Sequence, residues 1–291
     1  MKIAVYGNRS QDAFRPRLAA FFDMLVSRDG VEVFIERSFL TYLTQLLGQA
    51  PRRAQPVDEL PDGIDVVISL GGDGTFLRAA RWVGQLGTPI VGLNTGHLGY
   101  LAAYRIDEGR LLIDTLLSGN FPVEHRTLLR ITDAPIPFDY PFALNEIAIL
   151  KKDSSAMISV DALIDGWPLA TYQADGLLIS TPTGSTGYNL SVGGPIVAPT
   201  APNWVISPIA AHSLTMRPLV VNDASSLTLT TTSRTSSYLV AIDGHSIPLP
   251  VGSTITVRRA PFTVAVITRP DHNFADTLRR KLLWGQSPVQ G

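Results

Sequence analysis

The sequence predicts two domains: an α/β N-terminal domain with a Rossmann-like parallel sheet, and a β-rich, β-sandwich-like C-terminal domain. Strand-like and helix-like segments alternate over the first hundred residues, which is typical of βαβ units. From about Phe121 onward, short β-branched runs separated by turn signals replace that alternation. We expect residues 1–100 to form the first domain, with 269–291 packing back onto it, and residues 101–268 to form the second.

The first domain is predicted to alternate buried strands with amphipathic helices. Its clearest helical pattern has apolar residues at i, i+3, i+4, i+7 and i+8, namely Leu18, Phe21, Phe22, Leu25 and Val26. The proline-rich segment 50–63 is predicted to be a surface connection between a helix and the next strand. The expected strands are 2–6, 31–35, 64–70 and 88–94, and the further expected helices are 39–47 and 76–83.

The second domain is predicted to consist of short, mostly antiparallel strands. Asp165–Gly166 is predicted to form a two-residue hairpin turn between two of them. The segment 273–285, NFADTLRRKLLWG, returns to helical spacing. The expected strands lie within 143–150, 157–170, 176–182, 226–232, 237–244, 253–259 and 262–268.

The composition supports a folded protein and excludes several kinds of site. Of the 291 residues, 45% are hydrophobic and 17% are charged, and the net charge of −1 gives no footprint for nucleic acid or an anionic membrane. The absence of cysteine excludes thiolate sites, and the five histidines lack a metal-binding spacing. Without a signal-peptide core or a bilayer-length apolar run, we expect a cytoplasmic protein with no nucleic-acid or membrane partner.

A glycine-rich turn interrupts the apolar pattern of residues 68–80, ISLGGDGTFLRAA. A buried strand that ends in glycines before a helix favours phosphate binding, because free backbone N–H groups and the helix dipole attract anions. The turn lacks the lysine of a Walker A loop, and Leu77 stands where the dinucleotide fingerprint needs a third glycine. The phosphate loop is predicted to comprise Gly71, Gly72, Gly74 and Thr75.

Asp73 lies in the middle of that turn, where its charge would repel a phosphate unless it has a separate task. A carboxylate there can accept a proton from an attacking hydroxyl group, or it can help to hold a metal ion. Both tasks belong to phosphoryl transfer. The alternative from the residues alone is a tight strand–helix connection in which Asp73 is the N-cap.

Two further polar clusters stand out in the second half of the chain. Asn145 and Glu146 interrupt the apolar run ALNEIAI, where an amide and a carboxylate can bind the hydroxyl groups of a sugar. Residues 180–195, STPTGSTGYNLSVGGP, are rich in hydroxyl side chains and glycines that can contact a sugar, a phosphate or a base. The alternatives are an exposed bend of an edge strand for the first cluster and a surface linker for the second.

Four segments in order, GGDGTFL, GLNTGHLGYL, LNEIAI and DGLLISTPTGSTGYNLSVGGP, resemble the NAD kinase family. The resemblance runs from about Lys2 to Trp284. It implies an α/β domain, a β-rich NAD-binding domain, and transfer of a phosphoryl group from ATP or polyphosphate to the 2′-hydroxyl of the adenosine ribose of NAD. It also suggests a homodimer or homotetramer. Such a donor arrives with Mg²⁺ or another divalent metal ion.

The resemblance assigns roles to residues around the glycine turn. Asp73 matches the proton acceptor, while Gly72 and Gly74 let the backbone approach the phosphates. Arg78 matches a basic position near the phosphates, and Tyr100 matches an aromatic position that packs against the adenine. Asp73, Gly74, Arg78 and Tyr100 are therefore all expected to contact NAD.

In the second half, the resemblance assigns Asn145 and Glu146 to the NAD ribose and His245 to a position close to the transferring phosphate. The other expected NAD-binding residues, some of them acting from a neighbouring subunit, are Gln173, Asp175, Thr183, Thr186, Gly187, Tyr188, Asn189, Leu190 and Ser191. Gly187, Gln173 and Ala156 differ from residues that are frequent in the family, so the choice between NAD⁺ and NADH stays open.

Two other functions remain compatible with the residues. A non-catalytic NAD(P)-binding regulator would use the same loops, with Asp73 as a structural cap. A lipid kinase of the diacylglycerol type would share the glycine–aspartate turn, but it needs an apolar entrance for an acyl chain, and nothing beside GGDGT suggests one. The sequence also leaves open whether ATP or polyphosphate is the donor, and it identifies no metal ligand.

Overall fold

A computed structural model describes residues 1–96, 99–152, 157–271 and 273–285 of the chain. The protein divides into two compact units. Met1–His125 and Val264–Gly291 form the first unit, and Arg126–Thr263 form the second. The first unit continues past residue 100, where the sequence predicted a boundary, because the segment after that residue packs into the core of the first unit.

The first unit is built on a parallel sheet with the strand order β3-β2-β1-β4-β5, and β6 also pairs with β5. The strands are β1 (Lys2–Gly7), β2 (Glu32–Glu36), β3 (Ala54–Val57), β4 (Val66–Leu70), β5 (Ile90–Asn94) and β6 (Ala102–Arg105). The helices between and after them are α1 (Arg15–Val26), α2 (Arg37–Leu47), α3 (Asp73–Val83) and α4 (Gly109–Ser118).

The core of this unit joins the sheet to helices α1, α2 and α4. Phe21 and Phe22 of α1, Phe39 of α2 and Ile113 of α4 belong to one buried cluster with the sheet residues. Strands β4 and β5 are buried along their whole length, as expected at the centre of a parallel sheet. The predicted βαβ alternation of the first hundred residues is therefore confirmed.

Two local predictions for this unit were wrong. The proline-rich segment contains strand β3, which pairs with β2 at the edge of the sheet, where Pro56 is tolerated because an edge strand leaves some N–H groups unpaired. Helix α3 begins at Asp73 rather than at residue 76, because Gly72 is extended and its carbonyl accepts hydrogen bonds from the backbone of Thr75 and Phe76.

The second unit is β-rich and has two sheets, one of which is fully antiparallel with the order β14-β13-β12-β9-β16-β17. The other joins β11-β10-β15-β18, with β7 beside β18 and β8 beside β7. The strands are β7 (Val123–Asp133), β8 (Phe142–Ala143), β9 (Glu146–Leu150), β10 (Ile158–Ile164), β11 (Trp167–Ala174), β12 (Gly176–Ser180), β13 (Asn203–Ile209), β14 (Leu219–Asn222), β15 (Leu227–Thr232), β16 (Ser237–Ile242), β17 (His245–Pro250) and β18 (Thr254–Ile267).

The two sheets share one apolar core, which confirms the predicted sandwich-like architecture. Ile147 and Trp204 of one sheet lie in the same buried cluster as Val160 and Leu229 of the other. The hairpin predicted at Asp165–Gly166 is also confirmed, since both residues have positive φ angles, 50° and 85°, as a type I′ turn requires.

The sequence missed several strands and divided one. Residues 253–259 and 262–268 were predicted as separate strands, but β18 runs through both without a break. Its last residues, from Val264 onward, belong to the first unit, where Val266 pairs with Ile90. Strands β13, β14 and β17 carry proline or a short apolar pattern and were not predicted.

Two helices complete the described chain: the short α5 (Tyr188–Ser191) in the second unit and α6 (Phe274–Leu282) in the first. Asn273 caps α6 by accepting a hydrogen bond from the backbone of Asp276. The helix predicted within 273–285 is thus confirmed. None of the described helices has the length and apolar character needed to cross a membrane.

Candidate active site

The glycine turn lies between β4 and α3 in the first unit. Gly71 has a φ of 151°, and a Cβ atom there would lie 2.5 Å from the Thr75 hydroxyl oxygen, so a side chain at this position would be strained and crowded. The first turn of α3 carries backbone N–H groups that have no earlier helical carbonyl to bond. The backbone N–H groups of Thr75 and Phe76 donate hydrogen bonds to the carbonyl of Gly72. Among the described residues, the N–H groups of Asp73 and Gly74 therefore stay available to an anion.

The Asp73 carboxylate is held by backbone from a distant part of the chain. Its Oδ2 accepts a hydrogen bond from the N–H of Tyr100 at 2.7 Å, and its Oδ1 accepts one from the N–H of Leu101 at 3.0 Å. Gly99 lies against the carboxylate, since a Cβ atom on Gly99 would stand 1.9 Å from Oδ1. The N-cap alternative for Asp73 is wrong, because Gly72 is the cap residue and the carboxylate bonds outside the helix.

Arg78 and Tyr100, which the sequence predicted to lie near the phosphates and against the adenine respectively, are both in contact with residues of this turn. One guanidinium nitrogen of Arg78 donates to the Thr75 hydroxyl at 3.3 Å, so the cation extends along the first turn of α3. Burial, reinforced by the charge of Asp73, raises the pKa of the Tyr100 hydroxyl above its usual range. His97 and Leu98, in the same sequence motif as Tyr100, lie outside the described residues.

Lys281 of α6 is a functional candidate that the sequence analysis missed. Its ammonium nitrogen lies 4.9 Å from the centroid of the Tyr100 ring. Burial lowers the pKa of Lys281 to about 8, although attraction to Asp73 acts in the opposite direction. Nothing in the local sequence marks this residue, because it stands among other basic residues of an amphipathic helix.

The second unit carries the predicted sugar-binding pair on a segment that three other elements hold in place. The carboxylate of Asp243 accepts hydrogen bonds from the backbone N–H groups of Leu144, Asn145 and Glu146, at 2.7, 2.8 and 3.1 Å. Thr181 donates its backbone N–H to the carbonyl of Asn145 at 2.9 Å. This backbone is therefore fixed independently of the side chains of Asn145 and Glu146.

Asp243 was missed because it looks like part of an ordinary hairpin. It forms, with Gly244, the two-residue turn between β16 and β17, and both residues have positive φ angles, 46° and 82°. The turn aims its carboxylate at the backbone N–H groups that precede β9. His245, which the sequence placed close to the transferring phosphate, follows this turn as the exposed first residue of β17.

The side chains of Asn145 and Glu146 carry polar atoms that are buried. Asn145 Oδ1 and Glu146 Oε2 have no hydrogen-bond partner within the described parts of the chain. A Cβ atom on Gly187 would lie 3.4 Å from Asn145 Nδ2 and 3.6 Å from Glu146 Oε2, so Gly187 borders both side chains. Buried polar atoms without partners are costly, which favours a polar ligand at this position.

The two buried carboxyl groups near β9 have raised pKa values. Burial, reinforced by the negative charge of Asp243, raises the pKa of Glu146 to about 8. Burial also raises the pKa of Asp243 to about 6, although its three backbone hydrogen bonds oppose that shift. The raised pKa of Glu146 favours its protonated form, which can donate a hydrogen bond.

The predicted loop 183–191 contains both anchoring and open residues. Asn189 is buried; its amide nitrogen donates to the carbonyls of Ser185 and Pro195, and its oxygen accepts from Ser207 at 2.7 Å. Both amide hydrogens of Asn189 are thus used inside the protein. Thr183 is buried and its hydroxyl lacks a partner among the described residues, whereas Tyr188 and Ser191 are exposed and Thr186 and Leu190 are partly buried.

Two further predicted residues, Gln173 and Asp175, lie at and just after the end of β11 in the second unit. Asp175, between β11 and β12, forms an ion pair of 2.7 Å with Lys151, which the sequence analysis had not singled out. Gln173 is exposed near the end of β11, and its carbonyl accepts the backbone N–H of His212. Ala156 lies outside the described residues.

The chain matches known families along most of its length. Residues 21–121 match the ATP-NAD kinase N-terminal domain, and residues 144–269 match the ATP-NAD kinase C-terminal domain. The chain is 44% identical to an NAD kinase of Porphyromonas gingivalis and 45% identical to one of Bacteroides fragilis, each over 286 residues and 98% of both chains.

The fold is similar to that of two solved structures. A yeast NADH kinase complexed with NADH superposes with a TM-score of 0.86 at 25% identity, covering 100% of this chain and 90% of that chain. An NAD kinase from Archaeoglobus fulgidus in complex with ATP superposes with a TM-score of 0.72 at 24% identity, covering 96% of this chain and 99% of that chain.

Proposed function

The chain belongs to the NAD kinase family of phosphotransferases, and we infer that it transfers a phosphoryl group from ATP to the 2′-hydroxyl of the adenosine ribose of NAD, giving NADP. The observation that carries this inference is the placement of Asp73. A carboxylate is fixed by two backbone N–H groups inside a glycine turn, at the start of a helix whose N-terminus attracts phosphate.

In the proposed reaction, Asp73 accepts the proton of the 2′-hydroxyl as that oxygen attacks the terminal phosphorus of ATP. The new P–O bond forms while the bond to the leaving diphosphate breaks, and ADP departs. The N–H groups of Asp73 and Gly74 and the guanidinium of Arg78 stabilise the charge on the phosphate oxygens. The two N–H groups that hold the carboxylate fix its position without using up the second lone pair on each oxygen.

We assign the NAD ribose to Asn145 and Glu146 of the second unit. The support is the pair of buried polar atoms, Asn145 Oδ1 and Glu146 Oε2, that lack protein partners in the described chain. The protonated carboxyl of Glu146 donates a hydrogen bond and Asn145 both donates and accepts, which suits sugar hydroxyl groups. Thr183, Gly187 and Tyr188 are the loop residues best placed to contact the rest of NAD, since Asn189 is engaged within the loop.

In the proposed reaction, a divalent metal ion arrives as part of the donor complex. No group of three or more His, Cys, Asp or Glu side chains that could hold a metal occurs in the described ranges, and both oxygens of Asp73 already accept N–H groups. Mg²⁺ commonly keeps several waters and binds through substrate phosphates and one or two carboxylates. Bound to the donor, the ion would neutralise phosphate charge. Asp73 is the carboxylate of the glycine turn that could bind the ion.

Family membership supports the kinase over the two alternatives, the non-catalytic NAD(P)-binding regulator and the diacylglycerol-type lipid kinase. Polyphosphate as a second donor, a homodimer or homotetramer, and a cytoplasmic location stay part of the proposal on the basis of the sequence.

The test is a direct assay of product. The purified protein is incubated with Mg²⁺, ATP or polyphosphate, and NAD⁺, NADH or a short-chain diacylglycerol, and NADP(H) is measured with an NADP-specific dehydrogenase. Formation of NADP(H) confirms the proposed reaction and identifies the donor and the preferred redox form. Calorimetric binding of NAD⁺ without turnover would instead support the regulator, and phosphorylation of the diacylglycerol would support the lipid kinase.

A further inference from the structure

The last turn of α6 brings the ammonium group of Lys281 to the ring of Tyr100, the residue whose backbone binds Asp73. Its nitrogen lies 4.9 Å from the centroid of the Tyr100 ring, and the backbone N–H of that same tyrosine donates to Asp73 Oδ2 at 2.7 Å. One residue therefore contacts the lysine through its ring and the carboxylate through its backbone. The three residues belong to the same unit, although α6 is far from the glycine turn in sequence.

The position of this cation is electrostatically unusual. Lys281 is partly buried, and the loss of water around it favours the neutral amine. The carboxylate of Asp73 attracts it, but both oxygens of that carboxylate already accept backbone N–H groups. The hydroxyl of Tyr100 is buried too, without a partner in the described part of the chain. The ammonium of Lys281 has therefore lost part of its hydration, and the attraction of Asp73 does not fully replace it. Such a cation is suited to bind an anion.

One of the two arginines near it in α6 differs in this respect. Arg279, two residues earlier, forms an ion pair with Asp276 of the same helix and is mostly exposed. In α3, the glycine turn contains no lysine or arginine, and Arg78 extends along the helix toward Thr75. The phosphoryl-transfer site thus has backbone N–H groups and one guanidinium on the α3 side, and Lys281 supplies a charge from a different element.

We propose that Lys281 binds the phosphoryl group that is transferred at Asp73, so that α6 contributes a phosphate-binding cation to the active site. This inference rests on the proposed kinase function. The phosphate oxygens accept hydrogen bonds from the ammonium as the 2′-oxygen attacks, and Lys281 keeps its proton throughout. The simpler alternative is a cation–π contact that only attaches α6 to Tyr100.

The central experiment compares Lys281→Met with Lys281→Arg, because methionine keeps the length of the side chain and arginine keeps the charge. We expect kcat/KM for ATP to fall roughly 10- to 100-fold in Lys281→Met, as for the loss of a hydrogen bond to a charged group. The dissociation constant of NAD⁺ should change little. Arg280→Met, one residue earlier on the exposed side of α6, is the matched control and should behave like the wild type.

A pH profile separates phosphate binding from attachment of the helix. Asp73 and Tyr100 are the titratable groups of the described chain whose charge or ring reaches Lys281. With the pKa of Lys281 at about 8, kcat/KM for ATP in the wild type should fall as pH rises through 8, because the cation is lost. Lys281→Arg stays charged, so its profile should remain flat there when NAD⁺ is saturating and the titration of Glu146 does not limit the rate.

The outcomes distinguish this inference from the proposed function. If the wild type forms NADP and Lys281→Met has the same kcat/KM for ATP, Lys281 does not bind the phosphoryl group. A lower Tm and lost NAD⁺ binding in Lys281→Met, without rescue of activity by Lys281→Arg, would likewise reduce Lys281 to a structural contact. If the wild type makes no NADP from either donor, the proposed kinase function itself fails.

Discussion

At the scale of single residues, the active-site carboxylate of Asp73 is positioned by backbone rather than by other side chains. The N–H groups of Tyr100 and Leu101 each bind one oxygen, and Gly99 makes room for the carboxylate by having no side chain. Backbone donors in a short segment are rigid, so the carboxylate has little freedom to rotate. A proton acceptor held in this way is already in position before the reaction, so no free energy is needed to reorganise it.

We expect Asp73→Asn to lower kcat by a factor of about 10² to 10⁴, the usual range for a lost general base. An amide cannot accept the proton, and its NH₂ group would face one of the two backbone N–H groups that now bind the carboxylate. The dissociation constant of NAD⁺, measured by calorimetry, should stay within roughly tenfold. Asp62→Asn, at an exposed loop position of the same unit, is the control; equal kcat in both variants would remove the assigned role from Asp73.

A pair of glycine variants tests the positioning of that carboxylate without changing it chemically. A Cβ atom on Gly99 would stand 1.9 Å from Asp73 Oδ1. A Cβ atom on Gly96 would have the Phe14 ring as its nearest neighbour, at 3.8 Å. Gly99→Ala should therefore lower kcat by at least about tenfold, since small displacements at a reacting group are costly. Gly96→Ala should retain activity, and similar kinetics for the two variants would contradict the geometry.

At the scale of elements, three of them converge on the segment Leu144–Glu146 in the second unit. The β16–β17 turn supplies Asp243, the end of β12 leads to Thr181, and the loop after it brings Gly184 against the backbone. The hydroxyl of Thr181 links two of these elements, since it donates to the carbonyl of Leu144 at 2.6 Å and accepts the N–H of Gly184. The ribose-binding pair proposed here therefore depends on the packing of elements that are separate in sequence.

Gly184 is the tightest point of that packing. A Cβ atom there would lie 2.1 Å from the carbonyl oxygen of Asn145. The atoms of Asn145 that it would meet belong to the backbone, so they cannot move away by a side-chain rotation. We expect Gly184→Ala to cost about 1–3 kcal/mol and to lower Tm by several degrees, with weaker NAD⁺ binding because Asn145 moves. In Gly187→Ala the nearest atom is 3.3 Å away, so its Tm, measured by calorimetry, should stay closer to that of the wild type. The reverse order would show that the loop moves easily.

At the scale of the whole molecule, the buried carboxyl groups make the stability depend on pH. The pKa of Glu146 is raised to about 8 and that of Asp243 to about 6, so the folded protein keeps protons that the unfolded chain releases above pH 4 to 5. Where the folded state binds more protons, stability falls as pH rises. The contribution of Glu146 is thus fully present below about pH 4.5 and is lost as pH approaches 8.

The corresponding prediction is that Glu146→Gln flattens this dependence. Glutamine has no proton to release, so the difference in Tm between Glu146→Gln and the wild type should grow in favour of the variant from pH 5 to pH 8. Thermal unfolding in buffers across that range gives the measurement. Glu59→Gln, at an exposed position of the first unit, is the control. A constant difference in Tm across the range would mean that Glu146 does not titrate within the fold.

The class of fold, the family and the chemistry of the glycine turn could be predicted from the amino-acid sequence. Apolar spacing marked α1 and the central strands, β-branched runs marked most of the sandwich, and GGDG marked a phosphate turn with one carboxylate in it. These features are local, because helix and strand periods and turn chemistry are set by residues within a few positions of each other. The missed strand β3 and the divided strand β18 show the limit, since edge position and strand continuity depend on distant partners.

The surroundings of the reactive groups, in contrast, depend on how distant segments pack. Asp73 finds its donors 27 and 28 residues away, Asp243 reaches backbone 97 to 99 residues away, and Lys281 reaches Tyr100 from α6. No periodicity or motif records such contacts, because they arise only when separate segments pack. For the same reason, the raised pKa of Glu146 could not be predicted, as it follows from burial beside a carboxylate that in sequence looks like an ordinary hairpin turn.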